Sequence, residues 1–285
     1  MRKYYLTELG TDKDGIVINL WKKNEISEEE FYQFFNWFRF TGYYSRCKII
    51  KAMVDESAND FINYYSILND LLKKQKGFQS DPYLITGNKL LIAYLSFITV
   101  FIDVVKNEIS KHQKDDLASF QKLDSELYDE LFGYRLCKRM RNYVTHFGMP
   151  LTIFNQSMES GVSMLCVKDE LLRFEGWSKL KDEIMTLPDN FDFRPYIRES
   201  QAAIQTLFLH ALEFVFNDAL KGYENYQRLC KEQELKEPVI VTFDNENDAA
   251  KEMHPFPIDV MIQYFTALNE HPGYNISVNN GEQRD

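Results

Sequence analysis

A mainly α-helical bundle with a small β-hairpin inserted after its fourth helix is the fold class predicted for this chain of 285 residues. Three observations predict it. Apolar and aromatic side chains recur every three to four residues through several long segments, the repeat of a helix with one buried face. Capping residues open those segments and glycine or proline closes them. Only residues 151–175 show the alternation of a hairpin.

Residues 1–25 read as a short strand or irregular lead-in whose one β-like run is Ile16, Val17 and Ile18. Ser27-Glu28-Glu29-Glu30 predicts a capping box, in which the Ser27 hydroxyl accepts from the third helical N–H while Glu30 reaches back. The helix it opens carries Phe31, Phe34, Phe35 and Phe38, a stripe that marks core or a dimer contact rather than a cofactor pocket. A second helix, over 45–74, has Ile49, Met53, Phe61, Tyr65, Leu68 and Leu72 on its apolar side, with basic residues at 73–76 and Gly77 at its end. Residues 79–87 read as a loop, and Asn88 as the cap of a third helix reaching about residue 111. That helix is apolar nearly all round, which places it at the centre of the bundle.

After a turn at 112–115, a fourth helix is predicted from 115 or 116 to 146. Gly133 is able to kink or divide it, and Gly148 and Pro150 stop it. LTIFNQS and VSMLCVKDELLRF, joined by Met158-Glu159-Ser160-Gly161, predict the hairpin. A short helix follows over 178–187, then a loop at 188–195. A long helix over 196–233 carries Ile204, Leu207, Phe208, Ala211, Phe214 and Val215 on one stripe. The tail holds a strand at 239–243, an acidic loop and a helix at 257–269. Three regions result: a lead-in at 1–25, a helical domain at 26–235 and a tail at 236–285.

Composition narrows the function. With 45% hydrophobic, 15% aromatic and 27% charged residues the chain has enough apolar material for a sizeable core. Cys47, Cys137, Cys166 and Cys230 are far apart, which excludes a zinc ribbon and a disulfide framework and fits a reducing cytoplasm. The opening MRKYYLTELGTDKDG lacks the apolar core of a signal peptide. The longest apolar run, 90–102, is too short to span a bilayer, so no membrane role is expected. The net charge of −10 argues against broad, non-specific nucleic-acid binding.

One stretch has chemical content that the rest lacks. YRLCKRMRNYVTHFGMP gathers Arg135, Lys138, Arg139 and Arg141 with His146, one of five histidines, at the end of the fourth helix. A guanidinium holds phosphate in two-point contact and an imidazole titrates near neutral pH, together a minimal kit for cleaving RNA. Arg-Asn-x-x-x-His arises by chance only about 0.01 times in a chain of this composition.

RNYVTHFG resembles the Arg-x(4–6)-His signature of HEPN domains, helical proteins often found as RNA-cleaving toxins and antiviral effectors. The likeness covers roughly residues 45–150, with the long helix after 194. It implies a HEPN-type bundle acting as an endoribonuclease that needs neither metal nor cofactor. It further implies a homodimer in which the Arg and His of two protomers meet, RNA as substrate, and a cognate antitoxin or regulator as partner.

In cleavage by transesterification a base takes the 2′-OH proton, the 2′ oxygen attacks the adjacent phosphate, and an acid protonates the departing 5′ oxygen. His146 suits base or acid, Arg141 the phosphate, and Asn142 the substrate or the orientation of His146, which lies four residues on and on the same face. Arg135, Lys138 and Arg139 are the candidate RNA-binding cations, and Tyr143 is a packing or stacking surface. One histidine cannot be base and acid at once. His112, at the far end of a continuous fourth helix, would lie about 50 Å away, and Asp103 is read as an interior group opposite residues near 124. A two-fold dimer supplies the missing group. His210 reads as a core or interface histidine, and His254 and His271 lack the spacing of metal ligands. The alternatives are a non-catalytic HEPN-like module binding RNA, nucleotide or protein, and a structural dimerisation scaffold.

Overall fold

The structure, a computed structural model, describes residues 2–11, 17–20, 24–73, 79–112, 116–157, 161–244 and 251–277. In chain order it begins with β1 (Lys3–Thr11), β2 (Val17–Leu20), β3 (Asn24–Ile26), α1 (Glu28–Asn36), α2 (Arg39–Leu72), α3 (Asp81–His112), α4 (Asp116–Glu130) and α5 (Phe132–His146). There follow β4 (Ile153–Ser157), β5 (Gly161–Val167), α6 (Lys168–Leu172), a 3-10 turn at Glu175–Trp177, α7 (Leu180–Met185), β6 (Asn190–Asp192) and α8 (Arg194–Glu213). The chain ends with α9 (Phe216–Gln233), β7 (Pro238–Phe243), β8 (Glu252–Pro255) and α10 (Ile258–Leu268). The fold is mainly helical, with small antiparallel sheets.

Two compact units are present, one of Met1–Ser45 with Leu212–Asp285 and the other of Arg46–Ala211. The three regions predicted from sequence divide the chain differently, because the lead-in and the tail are parts of one unit. β1 pairs antiparallel with β7, Tyr5 opposite Val241 and Leu6 opposite Ile240. Alternation along these strands sends Tyr4, Leu6 and Ile240 into a cluster with Phe34, Leu229 and Leu235. It sends Tyr5, Val239, Val241 and Phe243 to the other face. Tyr4 and Leu6 thus mark a strand outside the one β-like run read from the sequence. The predicted capping box forms: the Glu30 N–H donates to Ser27 Oγ at 3.1 Å and the Ser27 N–H to Glu30 Oε2 at 2.8 Å. Of the aromatic stripe, Phe34 and Phe38 are buried.

In the second unit α3 carries the core. Leu91, Tyr94, Leu95, Ile98, Phe101 and Val105 are fully buried, and burying each Leu, Ile or Phe contributes about 1.5–3 kcal/mol. Among the described residues α3 is also the one helix long and apolar enough to cross a membrane. It starts about two turns earlier than predicted, with Pro82 in the first turn, where a missing N–H costs nothing. Asn88 is therefore not a cap. It is buried within the helix, where its amide donates to the Leu151 carbonyl at 2.8 Å and accepts from the Leu151 N–H at 3.1 Å. On α2 the buried stripe is Cys47, Ile50, Val54, Phe61, Tyr65 and Leu68, whereas Ile49 and Met53, placed on it by sequence, are exposed.

The predicted hairpin is present as β4 and β5, and β6 extends it to three strands, with Cys166 opposite Phe191. Residues 168–172, read as strand, are helix α6. The single long helix predicted over 196–233 is two, α8 and α9, separated at Val215. Strand 239–243 and helix 257–269 lie within β7 and α10, give or take a residue at each end. Ile16, the basic run after Lys73, the turn residues 113–115 and 158–160, and the acidic loop after Asp244 lie outside the described residues.

Candidate functional site

The fourth helix of the sequence reading is two helices. Leu131 is extended, with φ −101° and ψ 108°, so the break falls two residues before Gly133. A continuous helix would hold residues fourteen apart at about 21 Å. Here the Asp124 carboxylate of α4 accepts from Lys138 Nζ of α5 at 2.8 Å, and α4 folds back along α5. The 50 Å separation from His112 depended on a continuous helix and does not hold.

α5 begins without a cap from its own flank. Instead the Gly133 N–H, an unpaired donor of the first turn, donates to Glu199 Oε2 at 2.5 Å, a carboxylate at the positive end of the helix. Glycine is needed there, since a Cβ would sit 2.8 Å from the Tyr196 carbonyl oxygen. At the other end the N–H groups of Phe147 and Gly148 both donate to the Tyr143 carbonyl, at 2.8 and 3.2 Å, and His146 is the last helical residue. Leu136, Cys137, Met140 and Tyr143 are buried, so Arg135, Lys138 and Asn142 fall on the far arc, with Arg139 and His146 on one flank of it and Arg141 on the other.

The structure sorts these polar residues into committed and uncommitted groups. Arg135 donates to the carbonyls of Tyr128 and Asp129 and pairs with Glu183 at 2.6 Å. It closes the C-terminal end of α4. Lys138 pairs with Asp124 and lies 5.5 Å from the Tyr128 ring centroid and 5.0 Å from that of Tyr134. Its charge is spent internally as well. Asp124 is 7% exposed. Burial pushes its carboxyl up, but the Lys138 ammonium and the hydrogen bonds from Lys138 and Tyr134 outweigh that, and its pKa lies below the usual Asp value.

Tyr143 is 2% exposed, with its ring stacked on Trp177 and in edge contact with Phe174. Burial pushes its hydroxyl up. It presents no face to a base, so its role is packing.

Arg139, Arg141, Asn142 and His146 are different. Arg139 donates through Nε to the Tyr128 hydroxyl at 2.8 Å. Arg141, Asn142 and His146 have no side-chain hydrogen bond or ion pair among the described residues; Arg141 and Asn142 are half-buried and His146 is exposed. Between α4 and α5 runs a cleft of about 430 Å³ lined by Asp124, Ser125, Tyr128, Asp129, Lys138, Arg139 and Asn142. That is room for a nucleotide-sized ligand. Asp124 and Tyr128, four residues apart on α4, form its far wall. Their role became legible only once α4 was known to fold back.

Asp103 is exposed, not interior. The expected pairing near residue 124 is made instead by Lys106, 3.4 Å from Asp124. His210 is half-buried, with Nε2 3.1 Å from Ser119 Oγ. Among the described residues no three His, Cys, Asp or Glu side chains are grouped to hold a metal ion.

Comparison of the chain with protein-family models, with curated proteins and with solved structures gives no match.

Proposed function

We propose that the protein is a homodimeric endoribonuclease of HEPN type that cleaves RNA without metal or cofactor, in the cytoplasm, as a toxin or antiviral effector held by a cognate regulator. One observation carries this reading. The polar surface of α5 keeps the Arg141 guanidinium, the Asn142 amide and the His146 imidazole uncommitted, while Arg135 and Lys138 beside them are spent on structure.

His146 removes the 2′-OH proton as base. The 2′ oxygen then attacks phosphorus, the P–O5′ bond breaks, and a 2′,3′-cyclic phosphate and a 5′-hydroxyl result. Arg141 neutralises the non-bridging oxygens in the transition state. Asn142, four residues before His146, orients the imidazole or the substrate. Arg141 and His146 lie about 140° apart around one helix, so a two-fold partner brings Arg141 of one protomer to His146 of the other and supplies the second imidazole as acid.

The test is cleavage of single-stranded RNA by the purified protein in excess chelator, beside His146→Ala and Arg141→Ala. Cyclic-phosphate ends that disappear in both variants support the reading; full cleavage by His146→Ala sinks it. A second reading, a module that binds RNA, nucleotide or protein without cutting it, is favoured by the net charge of −10. It predicts RNA left intact by all three proteins.

A further inference from the structure

We infer that Arg139, held in place by Tyr128, is the phosphate-binding arginine on the same protomer as His146, and that the α4–α5 cleft receives the nucleotide next to the scissile phosphate. The inference rests on the ribonuclease reading and deepens it.

Helix geometry separates the two uncommitted arginines. At 100° per residue, Arg139 and His146, seven apart, differ by about 20° around α5, and Asn142 lies within about 60° of both. Arg141, five before His146, is about 140° away. Within a protomer only Arg139 therefore shares a face with the imidazole. Leu136, Met140 and Tyr143, buried about 40–120° around the axis from that face, fix its orientation.

Arg139 is also prepared for an anion. The Tyr128 hydroxyl accepts from Nε at 2.8 Å across the cleft, while both Nη groups have no partner among the described residues. Nor does any described carboxylate come within ion-pair distance of it. A guanidinium fixed through Nε keeps its Nη fork for two phosphate oxygens, at a smaller entropy cost than a free side chain. The other cations cannot take this place, since Arg135 is bound to Glu183 and Lys138 to Asp124. Asp124, which also lines the cleft, is compensated by Lys106 and Lys138. Asn142 reaches the cleft from the same helix face and adds a hydrogen-bonding amide beside the phosphate position.

The experiment is single-turnover cleavage of a labelled single-stranded RNA in excess chelator, read as rate constant and half-saturating enzyme concentration. Arg139→Ala lowers their ratio by about 100-fold or more, the usual effect of removing one transition-state donor. Arg139→Lys recovers about tenfold of this through its point charge. Tyr128→Phe slows the chemical step about three- to tenfold with the thermal midpoint unchanged, as expected of a residue that positions another. An equimolar mixture of Arg139→Ala and His146→Ala proteins stays inactive, because each site of a mixed dimer then lacks one of the two residues.

Cleavage by Arg139→Ala within threefold of wild type, with His146→Ala inactive, overturns the role of Arg139 and leaves the ribonuclease reading standing. Activity regained on mixing overturns the same-protomer placement. A wild-type protein that cuts no RNA removes the ribonuclease reading, and the role of Arg139 falls with it. If Arg139→Ala fails to fold, Arg139→Lys and Tyr128→Phe decide.

Discussion

Lys138 Nζ lies 2.8 Å from Asp124 Oδ1, the same oxygen that accepts from the Tyr134 hydroxyl at 2.7 Å. This contact ties α4 to α5 and forms one wall of the cleft. Asp124→Asn leaves Lys138 without its counter-charge and destabilises the second unit by on the order of 3 kcal/mol, the cost of breaking a largely buried pair from one side. The folded-state pKa of Asp124 is below its unfolded value. Its contribution is therefore present above the ordinary Asp range and is lost as pH falls through the lower, folded value. Denaturation from pH 7 to pH 2 checks this: wild type loses stability at the acid end, and Asp124→Asn loses measurably less there.

Gly133→Ala forces a methyl group against the Tyr196 carbonyl and the carboxylate that caps α5. The expected cost is about 2–4 kcal/mol, from overpacking and a weakened charged hydrogen bond. A chemical denaturation midpoint unchanged from wild type would show that α5 is not positioned this way.

Arg135→Ala removes a clamp on the end of α4 and leaves the Glu183 contact unmade. Stability falls by about 2 kcal/mol, as charged hydrogen bonds of this kind contribute about 1.5–3 kcal/mol. Affinity for a non-cleavable 2′-deoxy oligonucleotide, measured per folded molecule, stays within twofold of wild type. A tenfold loss would return Arg135 to the RNA contacts.

Subunit mixing examines the dimer itself. With Arg141 acting across the two-fold axis, His146→Ala and Arg141→Ala proteins are each inactive alone. Half of the dimers in an equal, fully exchanged mixture are mixed, and each of these has one site that regains both the base and Arg141 and lacks only the second imidazole, which restores cleavage in part, to at most about a quarter of wild type. Absence of any recovery after verified exchange argues that Arg141 does not work in trans.

Much of the fold was legible wherever one residue type has one local job. Ser27 and Glu30 announced a helix start because their hydrogen bonds close within three residues. The apolar stretch of α3 announced the core. What failed depended on distant partners. Asn88 looked like a cap, but its amide serves Leu151, sixty-three positions away. The break at Leu131 has no marker of its own, since the neighbouring Gly133 is there for the approach of Tyr196 and Glu199. The division at Val215 has neither glycine nor proline nearby. For the candidate site, sequence placed the cations and His146 at the end of one helix, where the structure has them, but not which cations are spent. Arg135 and Lys138 look identical in kind to Arg139 until Glu183 and Asp124 are seen beside them.

The strand pair β1–β7 joins Tyr5 to Val241, so this sheet waits on residues made more than two hundred positions later. The contacts that shape the cleft, Asp124 with Lys138 and Tyr128 with Arg139, close loops of only fourteen and eleven residues. Loop-closure entropy favours such short-range pairs, and folding follows the chain as it emerges. The helical hairpin that carries the uncommitted arginines and His146 thus acquires its shape while the sheet strand still lacks its mate. Any regulator that must restrain the site has reason to engage it during translation.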